Sequence, residues 1–133
     1  MILDSSAVLS VFFNEPSKDI LLDRMEGADF LGIGVPTLVE TGIVLSARTR
    51  VEELLLYEFI QQMDITVIPF TLDHYREAII AYRIFGKGRH PAALNFGDCL
   101  TYAVAKVSGL PLLCVGDDFR KTDLPVVVVP NVI

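Results

Sequence analysis

Short apolar runs alternate along this chain with longer segments in which apolar residues recur at helical period. That is the pattern of a parallel sheet whose strands are joined by crossover helices, so the expected fold class is α/β. Met1 to Leu3 reads as the first strand, with Asp4 just past its end and Ser5 and Ser6 placed to cap a helix from Ala7 to Phe13. Asn14-Glu15-Pro16-Ser17 is a turn, and Ser17 is expected to cap a helix that carries Ile20, Leu21, Leu22 and Met25 as far as Glu26, where Gly27 ends it. Phe30 to Gly34 is a second strand. Pro36, at a first-turn position, begins a helix holding Leu38, Val39, Ile43, Val44 and Leu45. Val51 to Met63 follows as another helix, acidic at its start through Glu52 and Glu53 as the macrodipole prefers.

Ile65 to Pro69 predicts the third strand, and Thr71 caps a helix running to Phe85. Gly86-Lys87-Gly88-Arg89-His90-Pro91 is a basic, glycine-bearing loop. Asn95 to Ser108 is helical by period, through Leu100, Ala103, Val104 and Val107, with Gly109 as its stop. Leu112 to Val115 and Val126 to Val129 are the remaining strands, separated by the polar turn Gly116 to Asp123. No linker, repeat or low-complexity tract divides residues 1–133, so one domain is expected.

The 133 residues are 52% hydrophobic and only 21% charged, which supplies a large core and excludes a disordered chain. So much apolar surface in a small chain also predicts an oligomer. No apolar run reaches the ~20 residues of a membrane span, and Met1-Ile2-Leu3-Asp4 has neither the basic region nor the apolar stretch of an export signal. Cys99 and Cys114 are too few for a disulfide framework and too far apart for a zinc knuckle. A cytoplasmic protein is expected. The net charge of −6 argues against binding nucleic acid or anionic lipid by bulk charge, so any phosphate contact must be local.

Three acids have a setting in common: Asp4 ends a strand, Glu40 lies in an otherwise apolar stretch of helix, and Asp98 is flanked by Phe96, Cys99 and Leu100. A fourth setting, Gly116-Asp117-Asp118-Phe119, again follows an apolar strand. Ligands of open α/β sheets bind beyond the carboxyl ends of the strands, which delivers Asp4 and the Asp117/Asp118 turn to one rim. Carboxylates gathered in one crevice repel one another, whereas a divalent cation removes that penalty and takes their hard oxygens as ligands; Mg²⁺ or Mn²⁺ is the natural inference. Each acid also has a bland use. Asp4 suits a helix cap, Glu40 is expected to be buried and Arg48 is an available partner for it, Asp98 suits a helix N-terminus, and Asp117 and Asp118 suit a turn. The functional reading rests on their convergence, since their wide spacing matches no local metal loop.

Met1-Ile2-Leu3-Asp4-Ser5-Ser6-Ala7, Thr37-Leu38-Val39-Glu40-Thr41, Asn95-Phe96-Gly97-Asp98-Cys99-Leu100-Thr101-Tyr102-Ala103-Val104-Ala105-Lys106 and Gly116-Asp117-Asp118-Phe119, in this order and at these distances, resemble the PIN-domain ribonucleases. Within them the likeness is to the VapC toxins of bacterial toxin–antitoxin pairs. The resemblance implies a small parallel sheet of about five strands between helices. It also implies hydrolysis of RNA by water activated at one or two Mg²⁺ or Mn²⁺ ions held by Asp4, Glu40, Asp98 and a fourth acid. Asp118, directly before Phe119, fits the fourth place best, with Asp117 as the substitute. The family pattern has Phe-Lys before the Gly-Asp-Asp-Phe turn where this chain has Cys114-Val115, which removes a basic side chain near the site. The resemblance further implies a VapB-like antitoxin whose tail covers the groove, and a homodimer; Val8 to Phe13 and Leu38 to Leu45 are compatible surfaces.

An acidic pI of 4.7 makes local positive charge necessary for an RNA substrate. Lys87, Arg89 and His90 in the glycine-bearing loop are the candidates, together with Arg120 and Lys121 after the Asp118 turn, although each also reads as a solvated loop charge. Cys99 and Cys114 read as small buried fillers, and Tyr102 as a residue that packs or bonds within its helix rather than stacking on a base. Two other functions fit the same acids: a PIN-fold nuclease for DNA or RNA outside a toxin pair, and an α/β module that binds Mg²⁺ without hydrolysing nucleic acid. The second needs a lysine near a strand-end aspartate, and Lys106 and Lys121 are poorly spaced for it.

Overall fold

The computed structural model describes residues 1–129. Five parallel strands, β1 (Ile2–Leu3), β2 (Gly32–Gly34), β3 (Thr66–Ile68), β4 (Leu112–Val115) and β5 (Val126–Val129), form one sheet in the order β3-β2-β1-β4-β5. Ile2 pairs with both Gly32 and Leu112, which makes β1 the central strand. The chain runs outward on one side of β1 and returns on the other, so the sheet's topological switch lies between β1 and β4.

Alternation along the strands sends successive side chains to opposite faces, and each face has its own core. Ile2, Leu112 and Cys114 face α5 (Leu72–Phe85) and α6 (Phe96–Ser108), packing on Ala81, Tyr102 and Val104. Leu3, Ile33 and Leu113 face the other way, toward α1 (Ser5–Phe12), α2 (Lys18–Glu26), α3 (Val35–Ser46) and α4 (Arg50–Gln62). Gly32 and Gly34 stand on the α6 side of β2. A Cβ on Gly34 would lie 2.7 Å from Val104 Cγ2, so the missing side chain is what lets α6 sit down on the sheet.

Element boundaries depart from the sequence reading where a polar side chain finds a different amide. Helix α1 begins at Ser5 because Asp4, in extended conformation, is itself the cap and accepts from the Ser6 amide at 3.1 Å. Ser5 and Ser6 are therefore first-turn residues. Ser17 is buried at the start of α2 and makes no side-chain capping bond. The second strand is only Gly32–Gly34, with Phe30 left exposed ahead of it. Thr49, which sequence reading left in the connection, caps α4 by accepting from the Glu52 amide at 3.0 Å. At α5 the Thr71 amide donates to His74 Nδ1 at 2.8 Å, and Gly109 ends α6 in the left-handed region at φ 69°.

Candidate active site

The rim of the sheet is built from four elements. Asp4 follows β1 and is 6% exposed. Its amide donates to Leu113 O of β4 at 3.0 Å, while Ser6 Oγ accepts from the Val115 amide at 3.0 Å and ties the start of α1 to the end of the same strand. Asp98 lies in the first turn of α6, where its Oδ2 accepts from the Asn95 amide at 3.0 Å and its own amide donates to Asn95 Oδ1 at 2.9 Å. This reciprocal cap occupies one carboxylate oxygen of Asp98 and fixes the side chain. The structural use of Asp98 foreseen from sequence is thus real, and it orients the acid.

Glu40 projects from α3 and is exposed, contrary to the expected burial, and Arg48 is not its partner. Arg48 instead approaches Glu52 at 3.6 Å and lies over the Phe13 ring at 4.5 Å. The Glu40 carboxylate stands against Gly97 of α6, where a Cβ would meet Oε2, the flexible end of an exposed side chain, and push it aside. Gly97, not singled out from sequence, leaves room for Glu40 to lie against the first turn of α6. Glu40, Gly97, Asn95 and Phe96 share the wall of a cleft of about 730 Å³ that continues along Val35, Val39 and Ile43.

The charges acting on Asp4 and Asp98 at this rim are negative. Burial raises the Asp4 carboxyl, which the Glu40 charge raises further against the hydrogen bonds from Ser6. Asp98 is pushed up to about 6, first by burial and then by the charges of Asp4, Asp118 and Glu40. Asp118 is exposed at the start of the short 3₁₀ turn Phe119–Lys121. Asp117 is 3.8 Å from Arg120 in a solvent-facing pair and does not figure among the charges acting most strongly on Asp98. Among the described residues Asp4, Glu40, Asp98 and Asp118 have no lysine or arginine partner. Among the described residues no three histidine, cysteine or acidic side chains lie close enough together to hold a metal ion.

The remaining candidates are placed as follows. Lys87 and Arg89 are exposed in the loop before α6, with the Arg89 guanidinium 5.3 Å above the Tyr82 ring. His90 is half-buried: its Nδ1 accepts from the Ala92 amide at 3.0 Å and its ring packs edge-on against Phe85. Its ring therefore shapes the loop. Tyr102 packs in the core as expected, but its hydroxyl donates out of the helix to Asp123 at 2.6 Å, an acceptor that Lys106 shares at 2.9 Å. Cys99 and Cys114 are buried thiols; burial, then the Asp4 charge, pushes Cys114 up to about 12, so neither is a thiolate. Of the two apolar segments, Val8 and Val11 are buried while Leu9, Phe12 and Phe13 are half-buried, and in Leu38 to Leu45 Val39 and Ile43 are exposed while Leu45 is buried. Among the described residues no helix is long and apolar enough to cross a membrane.

Residues 1–124 match the family model described as PIN domain. Ribonuclease VapC36 of Mycobacterium tuberculosis is 40% identical over 126 residues, covering 93% of this chain and 91% of that protein. The solved structure of VapC20 from Mycobacterium tuberculosis, titled a sarcin-ricin loop cleaving toxin, superposes with a TM-score of 0.75 at 15% identity over 92% of this chain and 95% of that one, a likeness of fold. A member of the VapBC family of toxin-antitoxin systems, VapBC-5 from Mycobacterium tuberculosis, superposes with a TM-score of 0.64 at 25% identity, covering 97% of this chain and 96% of that one. With a five-stranded parallel sheet in the order β3-β2-β1-β4-β5, these likenesses place the chain in the PIN-domain family, among the VapC ribonucleases.

Proposed function

We propose that this chain is the toxin of a VapBC-type pair, an endoribonuclease that hydrolyses RNA at the rim where Asp4, Glu40, Asp98 and Asp118 meet, with Mg²⁺ or Mn²⁺ as cofactor. The observation that carries this reading is the placement of Asp4 at the end of β1, Asp98 in the first turn of α6 and Glu40 against Gly97 of that same turn, none of them paired with a lysine or arginine among the described residues. Such a donor set, all hard oxygen and strongly negative, fits a small divalent cation. When bound, the ion supplies Lewis acidity at the scissile phosphate and lowers the pKa of water.

The chain's own residues divide the remaining work. Asp4 and Asp98 hold from fixed positions, one at a strand end and the other in a reciprocal helix cap. Glu40 reaches in on a longer side chain from α3, and Asp118 closes the group from the turn after β4. Lys87 and Arg89, exposed beside α6, and Arg120, near Asp118, supply the local positive charge that RNA phosphates require. His90 belongs to this group only through the shape it gives the loop. The whole chain acts as one cytoplasmic domain. Its protein partners are a VapB-like antitoxin and a second copy of itself. Support for both comes from exposed apolar groups: Val39, Ile43 and Tyr57 line a groove of about 590 Å³ between α3 and α4, and Leu72, Tyr75, Ile79 and Tyr82 form a stripe on α5.

Expression without a partner, followed by sequencing of the cleaved RNA ends, tests the activity and reveals the target. Cleavage should vanish in EDTA and return with Mn²⁺; cleavage that persists in EDTA rejects the metal-dependent reading. Stability gives a second check. Asp4 and Asp98 hold protons more tightly folded than unfolded, so their ionisation removes stability as pH rises from about 4 through about 6. For half-buried Asp98, solvent screening leaves about 1 to 2 kcal/mol. The metal-free protein should therefore melt a few degrees lower at pH 6.5 than at pH 4.5, and saturating Mg²⁺ should flatten that slope. A metal-free melting temperature that rises across this range contradicts the charge account.

A further inference from the structure

The hydroxyls of Thr37 and Thr101 lie 2.8 Å apart, joining α3 to α6 across 64 positions of sequence. Thr37 is 3% exposed and Thr101 1%. Thr41, also buried, donates from Oγ1 to Thr37 O at 2.8 Å and adds a second polar bond on the inner face of α3. Among the described residues the threonine pair is the only hydrogen bond between α3 and α6. Thr37 stands one helical turn before Glu40, and Thr101 one turn after Asp98.

We infer that Thr37 and Thr101 form a buried clasp that sets the separation and register of Glu40 and Asp98, and are thereby positioning residues for the metal-dependent reaction; this rests on the site proposed above. Two valines would fill the same space and tolerate a small slide of one helix past the other. Two hydroxyls do not, because a slip leaves a buried polar group unpaired. The constraint matters here because Glu40 on α3 and Asp98 on α6, each one turn from the bond, are like charges that act on one another. Without it, α3 is free to relax outward and Glu40 retreats from the group. With it, the donors keep their spacing before a cation arrives, the usual effect of an outer layer of bonds on metal affinity.

The test uses the full chain with Thr37→Val, Thr101→Val, the double valine variant and Thr37→Ser. RNA cleavage is measured against Mn²⁺ concentration, alongside calorimetric Mn²⁺ binding. Each single valine variant should raise the Mn²⁺ needed for half-maximal cleavage about tenfold, with kcat approaching wild type at saturating metal. The double variant should be no worse than the weaker single, since one bond is lost only once. Thr37→Ser, which keeps the hydroxyl, should remain near wild type. A lowered melting temperature with unchanged Mn²⁺ dependence overturns the clasp and leaves the threonines as packing. Should the valine variants fail to fold, Thr101→Cys keeps the volume with a weaker bond and is judged by the same shift. If wild-type chain binds no Mn²⁺, or binds it equally after Asp98→Asn, the site itself is refuted. Wild-type binding with unaltered threonine variants refutes the clasp alone.

Discussion

Asp98→Asn and Asp4→Asn are each expected to lower RNA cleavage on the order of a hundredfold or more while leaving the fold intact. The reason lies in what each carboxylate does twice. Asp98 accepts the Asn95 amide through Oδ2, and Asp4 accepts the Ser6 amide at the head of α1. An asparagine oxygen can accept either bond, and asparagine is as good a helix cap as aspartate. What the substitution removes is charge from a rim where burial and like charges already disfavour ionisation. The metal-free variants should therefore melt at or above the wild-type temperature while losing activity, a combination that general misfolding cannot produce. Asp117→Asn is the control, because Asp117 is engaged with Arg120, and it should retain most of the activity. Undiminished cleavage by Asp98→Asn or Asp4→Asn removes that residue from its role, and loss of folding in both removes the separation of cap from charge.

Gly34→Val is expected to have the largest effect on stability, destabilising by about 1 to 3 kcal/mol, which lowers the melting temperature by roughly 5 °C or more. Its Cβ would lie 2.7 Å from Val104 Cγ2, and Val104 is buried in α6 with no free space to retreat into. Gly34 pairs with Ile68 in the sheet and also stands at the head of α3, so α6 must shift relative to β2 and the start of α3 to admit the side chain. The same parting carries Asp98 away from Glu40. Activity at 20 °C should therefore fall more than the folded fraction does. Gly88→Ala makes the comparison: that glycine has open space around it but a positive φ of 84°, so its cost is one of backbone strain at a loop, without displacement of α6. Equal melting temperatures for wild type and Gly34→Val, measured by calorimetry, contradict the close-packing account.

The order of strands and helices is legible in the sequence because each element buries one face, and burial imposes a period. β4, β5, α2 and α5 occupy the residues expected of them, and the other helices differ at an end by one or two residues. The ends are harder because several polar residues compete for the same amides. Asp4 outcompetes Ser5 and Ser6 for the cap of α1, and Thr49 rather than a residue nearer Val51 starts α4. Asp4 and Asp98 are conspicuous as acids in apolar surroundings, and their burial follows from that setting. Glu40 misleads: most of its neighbours along the sequence are apolar, yet it occupies the outer side of α3 and reaches the site across Gly97.

Long-range pairings leave almost no local trace. The Thr37–Thr101 bond and the Ser6 contact with β4 join segments far apart in the chain, and only the placement of a hydroxyl on an otherwise apolar helix face hints at either. His90 and Tyr102 show the converse. Their chemistry suggests a site, but the structure commits the first to a loop bond and the second to Asp123.

The most direct measurement is a crystal structure of the chain soaked in Mn²⁺, with data collected at the manganese absorption edge and RNA cleavage assayed on the same preparation. A manganese peak bounded by Asp4, Glu40, Asp98 and Asp118, and missing from Asp98→Asn crystals, is the predicted result. Active protein whose manganese lies elsewhere, or whose four carboxylates surround no ion at saturating Mn²⁺, would contradict it.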